Sequence, residues 1–140
     1  MSRLLAIDYG ERRIGIAISD PLKIIAKQFR TLTYTNNENA IFQIIEIVHQ
    51  KNIDNIIVGL PITLKNKISK QTENVLKFIE HLKIEVSIPI ISYDERFSSQ
   101  LARQALITQG VKTGHNKGAV DQTAAAIFLQ NYIDEDNNKK

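Results

Sequence analysis

The stretch Leu4-Leu5-Ala6-Ile7-Asp8-Tyr9-Gly10-Glu11-Arg12-Arg13-Ile14-Gly15-Ile16-Ala17-Ile18-Ser19 decides the fold. Two apolar runs, Leu4 to Asp8 and Ile14 to Ser19, read as buried strands with Gly10 to Arg13 as their connection. A third extended stretch runs from Lys27 to Thr33, after the turn signal Asp20-Pro21. Strands joined this closely predict an antiparallel meander.

From Asn37 the period changes. Ala40, Ile41, Ile44, Ile45 and Val48 recur at helical spacing. Asn55-Ile56-Ile57-Val58-Gly59 is a buried strand stopped by Gly59 and Pro61. Ile68 to Glu85 reads as a helix with Val75, Leu76, Ile79 and Leu82 as its apolar stripe, and Ile88 to Tyr93 as another strand. Ser98 or Ser99 can cap a helix that Gly110 ends, and Asn116 or Lys117 opens a last helix running to about Ile133. The expected fold is α/β: a mixed five-stranded sheet, three antiparallel strands then alternating helix and strand, flanked by helices. Residues 1–134 are expected to form one domain and 135–140 a polar tail. That tail and the loop Pro61 to Ser69 are the expected mobile parts.

The chain of 140 residues, 43% hydrophobic and 24% charged, suits one globular domain. Absence of cysteine excludes disulfides, thiolate catalysis and iron–sulfur clusters. The longest strictly apolar run, Ala124 to Leu129, is far short of the ~20 residues that span a bilayer. At the N-terminus Asp8 arrives before any signal-peptide core develops. The expectation is a cytoplasmic protein without membrane contact. Eighteen Lys and Arg against fifteen Asp and Glu give a net charge of +3, and Lys65, Lys67 and Lys70 cluster without an acid between Ile62 and Lys70. A basic surface attracts polyanions, though this excess alone is common.

Three acids stand where apolar residues are expected. Leu4, Ala6 and Asp8 share one face of the first strand, and Leu5, Ile7 and Tyr9 the other. Ile91, Tyr93 and Glu95 share a face of the last strand, so Glu95 falls at its exit. On the final helix Asp121 shares a face with Ala124, Ala125, Phe128 and Tyr132. A carboxylate heading a buried row loses hydration and needs a partner, a cation or a proton. Each alone has an ordinary reading as a turn former, a solvated acid or a first-turn residue favoured by the helix dipole. If the strands are neighbours, however, the three would crowd one end of the sheet, and a divalent metal would offset their repulsion. Mg²⁺ takes hard oxygen ligands, and paired metal ions serve phosphodiester cleavage.

These residues resemble a known family. Leu5 to Ala17 is similar to the opening of the YqgF (RuvX) family, candidate pre-16S rRNA nucleases related to Holliday-junction resolvases. Val58-Gly59-Leu60-Pro61 resembles its central Gly-Leu-Pro motif, and Tyr93-Asp94-Glu95-Arg96-Phe97-Ser98-Ser99 its Asp-Glu-Arg motif. Lys117-Gly118-Ala119-Val120-Asp121-Gln122-Thr123-Ala124-Ala125 resembles its final block. The resemblance implies an RNase H-like fold and assigns Asp8, Glu95 and Asp121 as catalytic, metal-binding acids for Mg²⁺ or Mn²⁺. It implies a metal-dependent nuclease that processes the 5′ end of pre-16S rRNA in ribosome biogenesis. The expected partners are pre-rRNA and a ribosome precursor, with branched DNA as the alternative substrate, and the expected state is a monomer or weak homodimer. The chain departs from the family after Gly-Leu-Pro, where Ile62 to Lys67 is lysine-rich and lacks glycine. Position 124, where related resolvases commonly place a second acid, is alanine.

Arg12, Arg13, Arg96 and Lys117 are the expected substrate contacts, each of which has a solvated or salt-bridged reading as well. His115 could shuttle a proton, but a lone loop histidine is more often inert. Two other functions compete. Asp8-x-Gly10-x₄-Gly15 resembles the phosphate loop of actin-like and sugar-kinase folds, but those close two domains around ATP and this length supplies one. A non-catalytic RNA-binding assembly factor would gain from losing the three acids, which repel phosphate unless a cation is bound.

Overall fold

Eight elements make up the fold in a computed structural model that describes residues 2–10, 12–60, 70–94 and 117–138, with side chains described from 123 to 137 in the last stretch. They are β1 (Arg3–Tyr9), β2 (Arg13–Ser19), β3 (Ala26–Thr33), α1 (Asn37–Lys51), β4 (Ile53–Leu60), α2 (Lys70–Glu85), β5 (Ile90–Asp94) and α3 (Lys117–Asn138). The strands form one sheet in the order β3-β2-β1-β4-β5. β1 pairs antiparallel with β2, and β2 with β3; β4 runs parallel to both β1 and β5. The mixed sheet expected from the order of periods is therefore present. The expected helix between Ser98 and Gly110 and the loop Pro61 to Ser69 lie outside the described residues.

Alternation along the strands splits the core in two. Leu5, Ile7, Ile14, Ile16, Ile56 and Val58 pack beneath α1 and α2. Leu4, Ala6, Ala17 and Ile57 face the other way, against Ala125, Phe128, Leu129 and Ile133 of α3. Burying each large aliphatic side chain stabilises the fold by roughly 1.5–3 kcal/mol relative to exposure. Small residues line the α3 side, so this helix can lie close to the sheet.

α1 starts where Asn36 accepts a hydrogen bond from the Asn39 amide, and it ends at Asn52 in the left-handed region, φ 56°. In α2 the stripe differs from the one read off the sequence. Leu76 is 40% exposed, whereas Phe78 is fully buried. Phe78 falls on the face of Val75, Ile79 and Leu82, while Leu76 is rotated away from it.

α3 continues to Asn138 rather than stopping near Ile133. Glu135, expected in a polar tail, is helical and accepts a 2.8 Å hydrogen bond from the Tyr93 hydroxyl. Tyr93 also stacks on Phe128, with centroids 6.1 Å apart, and meets the edge of Tyr132. Burial first, then the bond to Glu135, pushes the Tyr93 hydroxyl up to about 12. The protonated phenol therefore stabilises the fold fully below its unfolded value near 10, and the contribution disappears as pH rises through about 12. Tyr93→Phe is expected to flatten the fall in melting temperature between pH 10 and 12 while keeping the ring stack. An unchanged alkaline profile would show that this contact adds nothing.

Candidate active site

Everything at the carboxyl end of β1 is pinned from the α1–α2 side. The Tyr9 ring lies 4.4 Å from Phe78 and 5.7 Å from Tyr34, centroid to centroid. Its hydroxyl donates to Asn37 Oδ1 at 2.6 Å, and its carbonyl accepts from Gln71 Nε2 at 3.1 Å. The next carbonyl, of Gly10, accepts from the Tyr34 hydroxyl. The Gly10 amide donates to the Arg13 carbonyl at 2.9 Å and closes the turn into β2. A Cβ at position 10 would stand 2.6 Å from that carbonyl oxygen, so only glycine fits. Held in this way, the strand presents Asp8 to the opposite face, the one that α3 covers.

Asp8 is half-buried. Its partner in register is Gly15, which in turn is opposite Thr31, so Asp8, Gly15 and Thr31 form a row across β1, β2 and β3. Because Ile14 and Ile16 point into the α1–α2 core, Arg13 and Gly15 belong to the face of Asp8. Arg13 is half-buried at the start of β2, two residues from Gly15, and Arg12 is exposed in the preceding bend. Both thus stand beside the Asp8 end of the sheet, as the sequence led us to expect.

α3 is placed by polar ties to β3 and the loop before it. Gln28 Nε2 donates to Thr123 Oγ1 at 2.7 Å, and Gln130 Oε1 accepts from the Ala26 amide at 2.8 Å. Gln130 Nε2 also donates to the Ile24 carbonyl at 3.0 Å. Ala26 pairs with Ser19 and Gln28 with Ala17, whose own partner is Ala6. Going back along α3 from Gln130 to Thr123 therefore leads toward the end of β1 that carries Asp8. Asp121 lies two residues further back, ~3 Å along the helix axis, and Lys117 a further turn.

On the other side, Gly59 pairs with Tyr93, and the β1–β4 register brings Ile7 level with Val58. One step on, Asp8 is level with Gly59 and Tyr93, across three strands. Tyr93 packs on the α3 side, and Ile91 with it. Glu95 and Arg96 follow β5 directly and lie outside the described residues, as do Lys65, Lys67 and His115. Among the described residues no cluster of three His, Cys, Asp or Glu side chains could hold a metal. Thr31 has no signal in the sequence, because its position beside Asp8 depends on the strand register.

Solved structures with a similar fold include Thermus thermophilus RuvC in complex with a Holliday junction substrate. The TM-score is 0.63 at 13% identity, over 99% of this chain and 97% of that one. Another is the fowlpox virus Holliday junction resolvase, with a TM-score of 0.55 at 14% identity, over 95% of this chain and 99% of that one. These likenesses establish the fold. A Chloroflexus aurantiacus protein named "Putative pre-16S rRNA nuclease" is 40% identical over 131 residues, covering 94% of this chain and 86% of that protein. A Thermoanaerobacter pseudethanolicus protein of the same name is 36% identical over 138 residues, covering 98% and 99%. The chain is thus a nuclease of the RNase H-like class. A model of the family described as "RuvX: Holliday junction resolvase" matches residues 2–135. The chain belongs to the RuvX family.

Proposed function

We propose that this nuclease hydrolyses phosphodiester bonds of the pre-16S rRNA near its 5′ end, with Asp8, Glu95 and Asp121 holding Mg²⁺ or Mn²⁺. One observation supports the reading: α3 lies on the Asp8 face of the sheet and runs back from Gln130 through Thr123 toward the end of β1 where Asp8 stands, with Asp121 two residues further along the helix. The donors are carboxylates only, with no cysteine in the chain, which suits a hard cation rather than zinc. Bound there, the cation would polarise the phosphoryl oxygens and offset charge gathering on them.

The remaining work falls to the chain itself. Gly15, buried between Asp8 and Thr31, adds no side chain to their row. Arg13 shares that face, and Arg12 and Lys117 stand at the same end of the sheet. With Arg96 they would bind the phosphates flanking the scissile bond and hold it in line. RNA is favoured over branched DNA because the relatives that cover nearly the whole chain are named for pre-16S rRNA. Resolvase action on a four-way junction is the second reading, favoured by the family description and the fold.

The test is cleavage of a labelled pre-16S rRNA fragment and of a four-way DNA junction, with Mg²⁺ and with chelator. Cleavage of the RNA near the mature 5′ end, lost on chelation, is expected. Cleavage of the junction alone would reverse the substrate assignment, and cleavage that persists in chelator would remove the metal.

A further inference from the structure

On the α1 side of the sheet, the face away from Asp8, two cations lie over one ring at the β3 edge, and Arg3 and Lys27 stand nearby. The Phe29 ring is half-buried at the edge strand β3. The Arg30 guanidinium lies 4.4 Å from its centroid and the Lys51 ammonium 5.5 Å, so the two heads are within about 10 Å of each other. Arg3 joins them by donating from Nη1 to the Lys51 carbonyl at 3.3 Å. Lys27 is exposed two residues before Phe29, opposite Ile18. A bulge at Ile16/Ala17 leaves Phe29 without a partner in the register, so Lys27, Phe29 and Arg30 all turn toward the α1 side.

Local structure explains part of this. Arg3 and Lys51 sit at the carboxyl end of α1, where cations favour the helix dipole. Arg30 and Lys27 reach no helix carbonyl among the described residues. Among the described residues none of the four has an ion-pair partner. The nearest acid on α1, Glu46, pairs with none of them, and the described ion pairs involve Lys23 and Lys83 instead. Charges of one sign held together without a counter-ion repel, and an external polyanion relieves that repulsion.

We infer that this edge is a second contact for the sugar–phosphate backbone of the nucleic-acid substrate, on the other face of the sheet from the cleavage site; the inference rests on the nuclease reading. Nucleic acid is favoured over an acidic protein because a substrate gripped at Asp8 brings a row of phosphates along the molecule. Arg30 pairs with Ile16, which pairs with Ile7, so it stands one residue short of the Asp8 row but on the other face, whereas Arg3 begins β1 about 17 Å from Asp8. A substrate must therefore pass round the β3 edge to touch both faces, which a long one can do and one of a few nucleotides cannot.

The test is binding of a fluorescent rRNA-precursor fragment to the Asp8→Asn protein, with and without the triple change Lys27→Gln, Arg30→Gln, Lys51→Gln. A protein carrying Lys77→Gln and Lys83→Gln, on α2, controls for lost net charge. The triple variant is expected to bind about tenfold more weakly at moderate salt, with a salt slope shallower by about two to three. The α2 control is expected to stay within about twofold of its parent. In the active protein the triple change should slow cleavage of the long RNA and spare that of a short oligonucleotide. Equal binding in both backgrounds overturns the inference even if cleavage is intact, and so does loss confined to polyglutamate, which would mark a protein-binding surface. Should neither RNA nor junction be cleaved while binding follows this pattern, the nuclease reading fails and the backbone contact stands.

Discussion

Asp8→Asn is expected to lower cleavage by about a thousandfold or more while the fold stays intact. The substitution keeps the size but turns one acceptor oxygen into an NH2 donor and removes the charge that would hold the cation. The neighbouring Tyr9 and Gly10 are fixed by Asn37, Gln71, Tyr34 and Arg13 on the other side. If three carboxylates do converge, removing one charge relieves repulsion in the metal-free protein. The melting temperature should then be equal to or above that of the wild type. Binding of RNA should survive, because Arg12, Arg13 and the β3 edge are untouched. Wild-type cleavage rates in this variant would exclude Asp8 from the chemistry. Loss of rate together with a fall of many degrees in melting temperature would assign it a structural role.

The second large effect is expected from Gly10→Ala. A methyl group at this position would lie 2.6 Å from the Arg13 carbonyl oxygen, a backbone atom that cannot swing aside. The turn must open, and the 2.9 Å bond from the Gly10 amide to the same oxygen is lost with it. Overpacking of this kind costs about 1–3 kcal/mol, or several degrees in melting temperature for a domain of this size. Arg13 and Asp8 flank the turn, so a displacement of about 1 Å there would lower the cleavage rate roughly a hundredfold. Thermal unfolding and single-turnover cleavage read the two effects separately. Retention of both wild-type values would show that the turn has room.

What the sequence revealed was whatever has a period. Alternation alone put Asp8 on the face of Leu4 and Ala6, and helical spacing grouped Ala125, Phe128 and Tyr132, which pack together against the sheet. The strand-and-helix order then implied a mixed sheet. What depends on contacts distant in sequence was hidden. Thr31 and Arg13 share a face with Asp8 only because Tyr9 pairs with Ile14 and Leu32 with Ile14; slipping either pair by one residue would reverse it. The end of α3 was misread for a related reason. Asp134, Glu135 and Asp136 are unfavourable at a helix carboxyl end, which argues for a tail. Burial of Ile133 and the Tyr93–Glu135 bond outweigh that local preference. In α2, Leu76 and Phe78 compete for one stripe, and the Tyr9 ring at 4.4 Å selects Phe78.

The central claim is that Asp8, Glu95 and Asp121 share a divalent ion. Mn²⁺ titration followed by electron paramagnetic resonance tests it most directly, in the wild type and in Asp8→Asn, Glu95→Gln and Asp121→Asn. The account predicts uptake by the wild type and weakened uptake in every one of the three variants. Uptake equal to the wild type in any of them would contradict it.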